Sequence, residues 1–501
     1  MRASVLRMVS TFLLLTMSPV GAKSPSLQGG KITSTSVQGN SGTGSVGSGS
    51  SGIGDEVGAK QILHFSDIHL NISESLDANE SAKIPIQYGY DAPISLLTSA
   101  LEYAKQVLPN PAFFLYTGDH AVHGNPSDEY LAEAVKVNVE TMAQYFSDSA
   151  NATAILGDTD TTNYTMNVTD PSSEENPTIE VVSPAWSNLL NTTSLKDLNT
   201  RGYLSYKLDE ELVLLTLNTV PYSPNHTPDT MNESDPFDQF AWLNATLSGL
   251  RSGGKLAYIT GHIPPIIDAQ DGSPMWEASY ISTYKEIVTQ YADVVKAQIF
   301  GHTHSVEFRL PLTADMESQD PDEVIEADNS DQSSQLVPLF MSPAISPIFY
   351  NNPAFMVWDF DPSTYDLLDF TVYGTNLSDG NDTALNWQPL FKASTAYNVS
   401  SLSWSDMNNF IVNAARDSAI VEQYYYSSQA QSYLQTACED TVCLTWYLCS
   451  MMWWSTPEDY TACLAAGSRI ASTSTASSFP LETSFFFTVL AILTLLLVDF
   501  S

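Results

Sequence analysis

Basic residues are scarce in this chain: 501 residues hold 19 Lys and Arg against 57 Asp and Glu, a net charge of −38. That balance excludes nucleic acid or an anionic membrane as a partner held by charge. It suits a secreted protein kept soluble by self-repulsion, at the cell surface or in an acidic lysosome- or vacuole-like compartment. Long apolar runs are also missing. Phe485–Val498 covers 14 residues, short of the roughly 20 that a spanning helix needs. Cysteine is rare, and none precedes Cys438. The spacings of Cys438, Cys443, Cys449 and Cys463 lack the CxxC pairs of a zinc knot. An even count in a secreted chain instead reads as two disulfides, with three pairings open. The acidic stretch Asp315–Asp331 lacks the glycine turn and ligand spacing of an EF-hand and reads as a solvated loop.

What is present at the two ends points outside the cell. Arg2 and Arg7 precede an apolar stretch, Met8–Met17, and Val20-Gly21-Ala22 offers a small-residue cleavage site, so residues 1–22 read as a signal peptide. Residues 471–501 combine small residues, a polar spacer and a terminal apolar tail, the pattern of a GPI-attachment signal with Ser472 or Ser474 as the attachment point. A tail-anchoring helix is the alternative. Sequons at Asn71, Asn79, Asn151, Asn163, Asn167, Asn191, Asn225, Asn232, Asn244, Asn376, Asn381 and Asn398 imply heavy glycosylation.

Residues 23–58, rich in Gly, Ser and Thr, cannot bury a core and read as a linker. From residue 60 the pattern alternates. Strands are expected at 61–66, 112–118 and 152–157, and helices at 94–108 and 130–146. That alternation predicts an α/β domain over 60–375, whose ligands bind beyond the carboxyl ends of its strands. Residues 376–470 read as a helical C-terminal domain with the four cysteines, Trp453 and Trp454 forming part of its small core.

Histidine is the other scarce residue, with eight in the chain, and six of them fall in short phrases that each follow an apolar strand. The phrases are SDIH, GDHAVH, GDTD, TGHIPP and FGHTH. They supply Asp67, His69, Asp119, Asp158, His262, His302 and His304. Carboxylates mixed with imidazoles suit zinc, with iron or manganese as the other candidates. Asp119 is the candidate to bridge two ions. Two such ions hold a phosphoryl group and generate a hydroxide nucleophile, so no side chain need attack phosphorus.

These phrases resemble the calcineurin-like metallophosphoesterase superfamily. LHFSDIHLN, YGYDAP, GDHAVH, GHIPP, FGHTHSVEF, DPFDQFAWLNATL and SPAISPIFYNNPAF resemble its acid sphingomyelinase-like phosphodiesterase branch. The resemblance implies a four-layer sandwich, two central sheets flanked by helices, with a disulfide-containing helical C-terminal extension. It implies one metal at Asp67, His69, Asp119 and His304, and another at Asp119, Asp158, His262 and His302. It makes His123 the catalytic group near the substrate phosphate and sets Tyr88 and Asp91 on the substrate side. His120 has no counterpart and reads as incidental; His64 reads as structural. The saposin-like domain of acid sphingomyelinase has no counterpart in residues 23–58. The function implied is hydrolysis of a sphingomyelin-like or nucleotide-type phosphodiester by metal-bound hydroxide.

The resemblance breaks at residues 157–160, where the superfamily usually writes Gly-Asn-His and an acid, and this chain writes Gly157-Asp158-Thr159-Asp160. Asp158 keeps an oxygen ligand and adds negative charge. Thr159 cannot protonate a leaving group, and losing a general acid typically costs about 10²–10⁴ in rate. His123 remains to serve as the acid, and good leaving groups need less of one. The sequence therefore predicts a preference for activated esters or anhydrides over sphingomyelin. The related endopolyphosphatases, which commonly carry Asn at this position, supply one alternative; a metal-binding pseudoenzyme at the cell surface is the other.

Overall fold

The computed structural model describes residues 58–73, 85–147, 150–169, 173, 175–311, 337–377 and 385–474. The expected signal peptide, nearly all of the linker, the acidic stretch 315–331 and the tail beyond residue 474 lie outside the described residues.

Two six-stranded sheets form the centre. The first has the order β12-β11-β10-β1-β2-β3, built from β1 (Lys60–Phe65), β2 (Phe113–Tyr116), β3 (Ala150–Ala152), β10 (Ala354–Phe360), β11 (Leu367–Gly374) and β12 (Gln388–Lys392). The second runs β4-β5-β6-β7-β9-β8. Its strands are β4 (Leu204–Lys207), β5 (Leu212–Thr216), β6 (Leu256–Thr260), β7 (Val295–Phe300), β8 (Glu307–Arg309) and β9 (Leu339–Met341).

Alternation along each strand divides the core into three layers. In β1, Ile62 packs between the sheets with Leu214, Ile299 and Phe340, whereas Leu63 and Phe65 turn to the outer face. There they meet helices α1 (Ile94–Val107) and α2 (Asp128–Tyr145). Leu97, Ala100, Leu101 and Ala104 lie on one face of α1 at helical spacing. Ser127 caps α2 by accepting from the Tyr130 N–H. On the far side, α4 (Gln239–Ser252) and α5 (Ala278–Gln290) cover the second sheet through Leu243, Leu247, Tyr280 and Tyr284. Between α2 and β4 lies α3 (Thr192–Arg201), capped by the Asn191 side chain. The order helices, sheet, sheet, helices is the four-layer sandwich expected. Each fully buried Leu or Ile contributes about 1.5–3 kcal/mol, so the layering is set by apolar burial rather than by loops.

β1, β2 and β3 run parallel, as do β5, β6, β7 and β9. Their carboxyl ends open on one side of the sandwich. The expected strand at 152–157 is displaced: β3 ends at Ala152, where its pairing with β2 stops at Leu115, while β2 stays paired with β1 as far as Tyr116.

The C-terminal segments do not stand apart. β10 pairs antiparallel with β1, and β12 extends the same sheet across the division expected near residue 375. Helices α6 (Trp404–Ala414), α7 (Ser418–Ser428), α8 (Thr441–Ser450) and α9 (Pro457–Ser474) follow. The disulfides are Cys438–Cys443 and Cys449–Cys463, the second joining α8 to α9. Trp453 and Trp454 are buried against the core of the second sheet, and the Trp453 indole donates to the Pro265 carbonyl at 2.6 Å.

Candidate metal centre

Every expected ligand lies just past the carboxyl end of a parallel strand or of the segment that continues it. Asp67 and His69 follow β1, Asp119 follows β2, Asp158 follows β3 after an extended stretch, His262 follows β6, and His302 and His304 follow β7. The chain turns sharply there. Asp67, His69, Asp119, His302 and His304 all have positive φ, between 48° and 70°. Asp and His tolerate the left-handed region better than most residues, yet five such positions in one cluster mark a backbone held by its surroundings.

Those surroundings are specific. The Asp67 and His69 N–H groups donate to the carbonyls of Gly118 and Asp119 at 3.1 Å, locking the first two loops together. His69 Nδ1 donates to the Ala121 carbonyl at 3.1 Å, and His262 Nδ1 to the Thr117 carbonyl at 2.8 Å. Each contact places a proton on Nδ1 and aims Nε2 into the cluster. The Thr159 N–H donates to Asp119 Oδ1 at 3.0 Å and sets that carboxylate's rotation.

Asp119 Oδ2 then lies 3.4 Å from His69 Nε2 and 3.2 Å from His262 Nε2, between two groups of donors. On one side, His69 Nε2 faces His304 Nε2 at 3.0 Å, with Asp67 Oδ1 3.4 Å from the latter. On the other, His262 Nε2 faces His302 Nδ1 at 3.2 Å, with Asp158 Oδ1 3.1 and 3.2 Å from the two rings. Asp119, Asp158, His262 and His302 could hold one ion, and Asp67, His69 and Asp119 belong to a second such group. Ring nitrogens aimed at one another and at carboxylates fit a pair of divalent cations.

The electrostatics of the metal-free site divide the four rings into two pairs. Burial, aided by the neighbouring His123, holds His69 and His304 well below the usual imidazole range, as neutral lone-pair donors. Burial opposes charging His262 and His302 too, but Asp119 and Asp158 outweigh it and hold both up. Burial pushes the Asp67 carboxyl up to about 6, with Asp119 adding to the rise. Burial and the Asp158 charge raise Asp119 likewise. Three carboxylates in one enclosed site disfavour one another, and a divalent cation would relieve that.

His123 stands beside the ligands, its ring stacked on His69 with centroids 3.6 Å apart. Asp91 accepts from both its Nδ1, at 2.7 Å, and its backbone N–H, at 2.9 Å. Burial works against the charged ring, and Asp91 more than compensates, so the His123 pKa is raised. The structure thus places Asp91 behind His123. Tyr88 lies further out, its hydroxyl 2.5 Å from Asn352 Oδ1 and accepting from the Leu377 N–H.

Thr159 is buried, and its hydroxyl donates to the Ala121 carbonyl at 3.1 Å. Its neighbour Asp160 has no role assigned from sequence, and His120 reads from sequence as incidental. Both are fully buried and paired, Asp160 Oδ2 lying 2.9 Å from His120 Nδ1. The Asp160 carboxylate also accepts from the N–H groups of Asp119, His120, Ala121 and Gly157. Despite burial, the His120 charge and these donors keep its pKa below the carboxylate range. The acid closing the GDTD phrase was the only sequence signal for it. Phe349, edge-on to His304 at 4.8 Å and to His123 at 5.5 Å, had none.

Comparison with known proteins matches residues 60–306 to the calcineurin-like phosphoesterase family and residues 334–470 to the acid sphingomyelin phosphodiesterase C-terminal region. The chain is 26% identical to sphingomyelinase phosphodiesterase C of Dictyostelium discoideum, over 73% of this chain and 80% of that protein. It is 24% identical to acid sphingomyelinase-like phosphodiesterase 3b of Mus musculus, over 77% and 86%. It is 25% identical to cyclic GMP-AMP phosphodiesterase SMPDL3A of Rattus norvegicus, over 78% and 86%.

Proposed function

The chain belongs to the acid sphingomyelinase-like phosphodiesterases, a calcineurin-like phosphoesterase domain followed by an acid sphingomyelin phosphodiesterase C-terminal region, and from that premise we propose a dinuclear-metal enzyme acting on phosphodiesters or phosphoanhydrides with good leaving groups. Asp67, His69, Asp119 and His304 would hold one cation, and Asp119, Asp158, His262 and His302 the other. The observation carrying this reading is the position of Asp119 Oδ2 between His69 and His262, 3.4 and 3.2 Å away, with a facing pair of ring nitrogens on each side.

Two divalent ions held there would supply Lewis acidity toward the phosphoryl oxygens and an activated water as nucleophile. The chain's own groups do the rest. The carbonyls of Thr117 and Ala121 orient His262 and His69, and the Thr159 N–H fixes Asp119. Asp91 keeps the proton on His123 Nδ1, so Nε2 is the nitrogen that delivers a proton to the leaving oxygen. Thr159 offers none, its hydroxyl being engaged with Ala121. A phosphate or nucleotide leaves with less help than a lipid alkoxide, which favours the former as substrate. One relative is named for cyclic GMP-AMP, so a cyclic dinucleotide is the first diester to try.

We place the protein at the cell surface or in a lysosome-like compartment, glycosylated and held by a GPI anchor. Two disulfides fit an oxidising compartment. Asn163, Asn225 and Asn398 are exposed and open to glycan addition.

The test is metal analysis of purified protein alongside turnover of bis(p-nitrophenyl) phosphate, a cyclic dinucleotide, sphingomyelin vesicles and polyphosphate. About two metal ions per chain are expected, with diester turnover that Asp119→Ala abolishes. Metal-loaded protein inert across the panel rejects the enzyme reading, and chain shortening of polyphosphate alone would favour an endopolyphosphatase-like one.

A further inference from the structure

His64 is fully buried on the face where the sheets meet, three residues before Asp67, and the proposed reaction gives it nothing to do. A polar ring there is tolerated only if both nitrogens find partners. They do. The Trp358 indole N–H, which can only donate, points at His64 Nδ1 from 3.3 Å. The ring proton therefore sits on Nε2, which donates to Thr117 Oγ1 at 2.9 Å. Thr117 Oγ1 donates in turn to Ser66 Oγ at 2.5 Å, and Ser66 Oγ donates to Asp67 Oδ2. Each hydroxyl has one proton to give, so the order of donation is fixed from Trp358 to the carboxylate. Gly301 makes room for it. A Cβ there would run into Ser66 Oγ and lie 2.8 Å from Asp67 Oδ2 and 3.0 Å from Thr117 Oγ1.

We propose that His64, Thr117 and Ser66 are positioning residues, a one-way donor relay that holds the Asp67 carboxylate in the orientation needed by one cation. This rests on the reading of Asp67 as a ligand. Thr117 serves both ion positions, since its carbonyl also accepts from His262 Nδ1 at 2.8 Å. A substitution that removes only the hydroxyl should therefore disturb one position and spare the other. Hydrogen-bond partners behind metal ligands are typically worth about 10–100-fold in affinity.

The experiment is equilibrium competition for Zn²⁺ between the purified protein and a chromophoric chelator, for the parent, Thr117→Val and Thr117→Ser. Thr117→Val is expected to weaken one of two zinc affinities by about tenfold or more and leave the other near the parent value. Thr117→Ser, which restores a hydroxyl, is expected to recover most of the loss. The thermal midpoint of metal-free protein is read in parallel. A lowered midpoint with unchanged zinc affinity would show a merely structural hydroxyl and overturn the proposal, as would a serine variant no better than valine. If Thr117→Val does not fold, Ser66→Ala removes the last donor, with the same expected loss and the same contrary result. A parent that binds no zinc overturns the ligand reading together with the relay. A parent that binds two ions, with variants that match it, overturns the relay alone.

Discussion

The Nδ1 atom of His120 lies 2.9 Å from Oδ2 of Asp160, and neither side chain reaches solvent. Around this pair the loop carrying Asp119 is stitched to the loop carrying Asp158. Neither residue enters the cluster of candidate ligands, but the pair ties together the loops that carry Asp119 and Asp158. Removing one partner of a buried pair leaves the other group, and here four N–H donors, without a match. Asp160→Ala is expected to destabilise the fold by about 3–5 kcal/mol and to reduce metal content in whatever folds. Chemical unfolding combined with metal analysis checks this, and a variant with parental stability would show that the pair is idle.

Asp91→Asn keeps the size of the side chain that holds His123 but removes its charge. An acid matters most when the leaving group is poor. The substitution is therefore expected to slow a diester with an alkyl leaving group by about 10²-fold, and a p-nitrophenyl diester far less. Equal losses on both substrates would remove His123 from the acid role.

Thr159→Val keeps the shape of threonine and the N–H that holds Asp119, and deletes the hydroxyl bonded to Ala121. One neutral hydrogen bond is worth about 0.5–1.5 kcal/mol, so a small loss of stability is expected with nearly parental kcat. A drop of about 10²-fold would mean that the hydroxyl does take part in the reaction. The companion change Thr159→His tests the missing acid, and a gain confined to poor leaving groups is the expected result.

His64 makes the metal-free fold sensitive to acid. Burial pushes its imidazole down to about 3 in the folded protein, against about 6.5 in an unfolded chain. Between those values the unfolded chain takes up a proton that the folded one refuses. Stability therefore falls as pH drops from about 6.5 toward about 3, by up to about 1.4 kcal/mol per pH unit, and owes nothing to this group above that window. His64→Gln should flatten that part of the profile. Denaturant midpoints for both proteins from about pH 7 to about pH 4 decide it, and parallel curves would contradict the assignment.

Much of the candidate site was legible in the sequence because its grammar is local. An apolar strand followed by Asp-X-His, Gly-Asp or Gly-His carries the strand end and the ligand in one phrase, so seven side chains could be named before any of them was seen together. The layers were legible for the same reason, as strands and helices alternate visibly up to residue 157. What escaped depends on partners distant in sequence. The strand expected at 152–157 is mostly apolar, but its pairing with β2 stops at Ala152 and Leu115, and apolar character cannot show where pairing stops. The Cys449–Cys463 disulfide follows from how α8 packs on α9, and Cys438–Cys443 from how the chain enters α8, neither of which spacing encodes. Asp160 and Thr117 look like filler between ligands, and their value lies in bonds to loops about 40 and 51 positions away.

The antiparallel pairing of β10 with β1 also has a consequence for how the protein is made. The strand that leads to Asp67 and His69 is among the earliest parts of the domain to emerge during synthesis. Its neighbour, Ala354–Phe360, emerges nearly three hundred residues later. A nascent chain halted after residue 306 would hold every ligand named here and still present the open edge of β1 to other chains. The strand that leads to Asp67 and His69 is therefore fully paired only once residue 360 has been made. A fragment cut after residue 306 should be a poor substitute for the whole chain, even though no ligand has been removed.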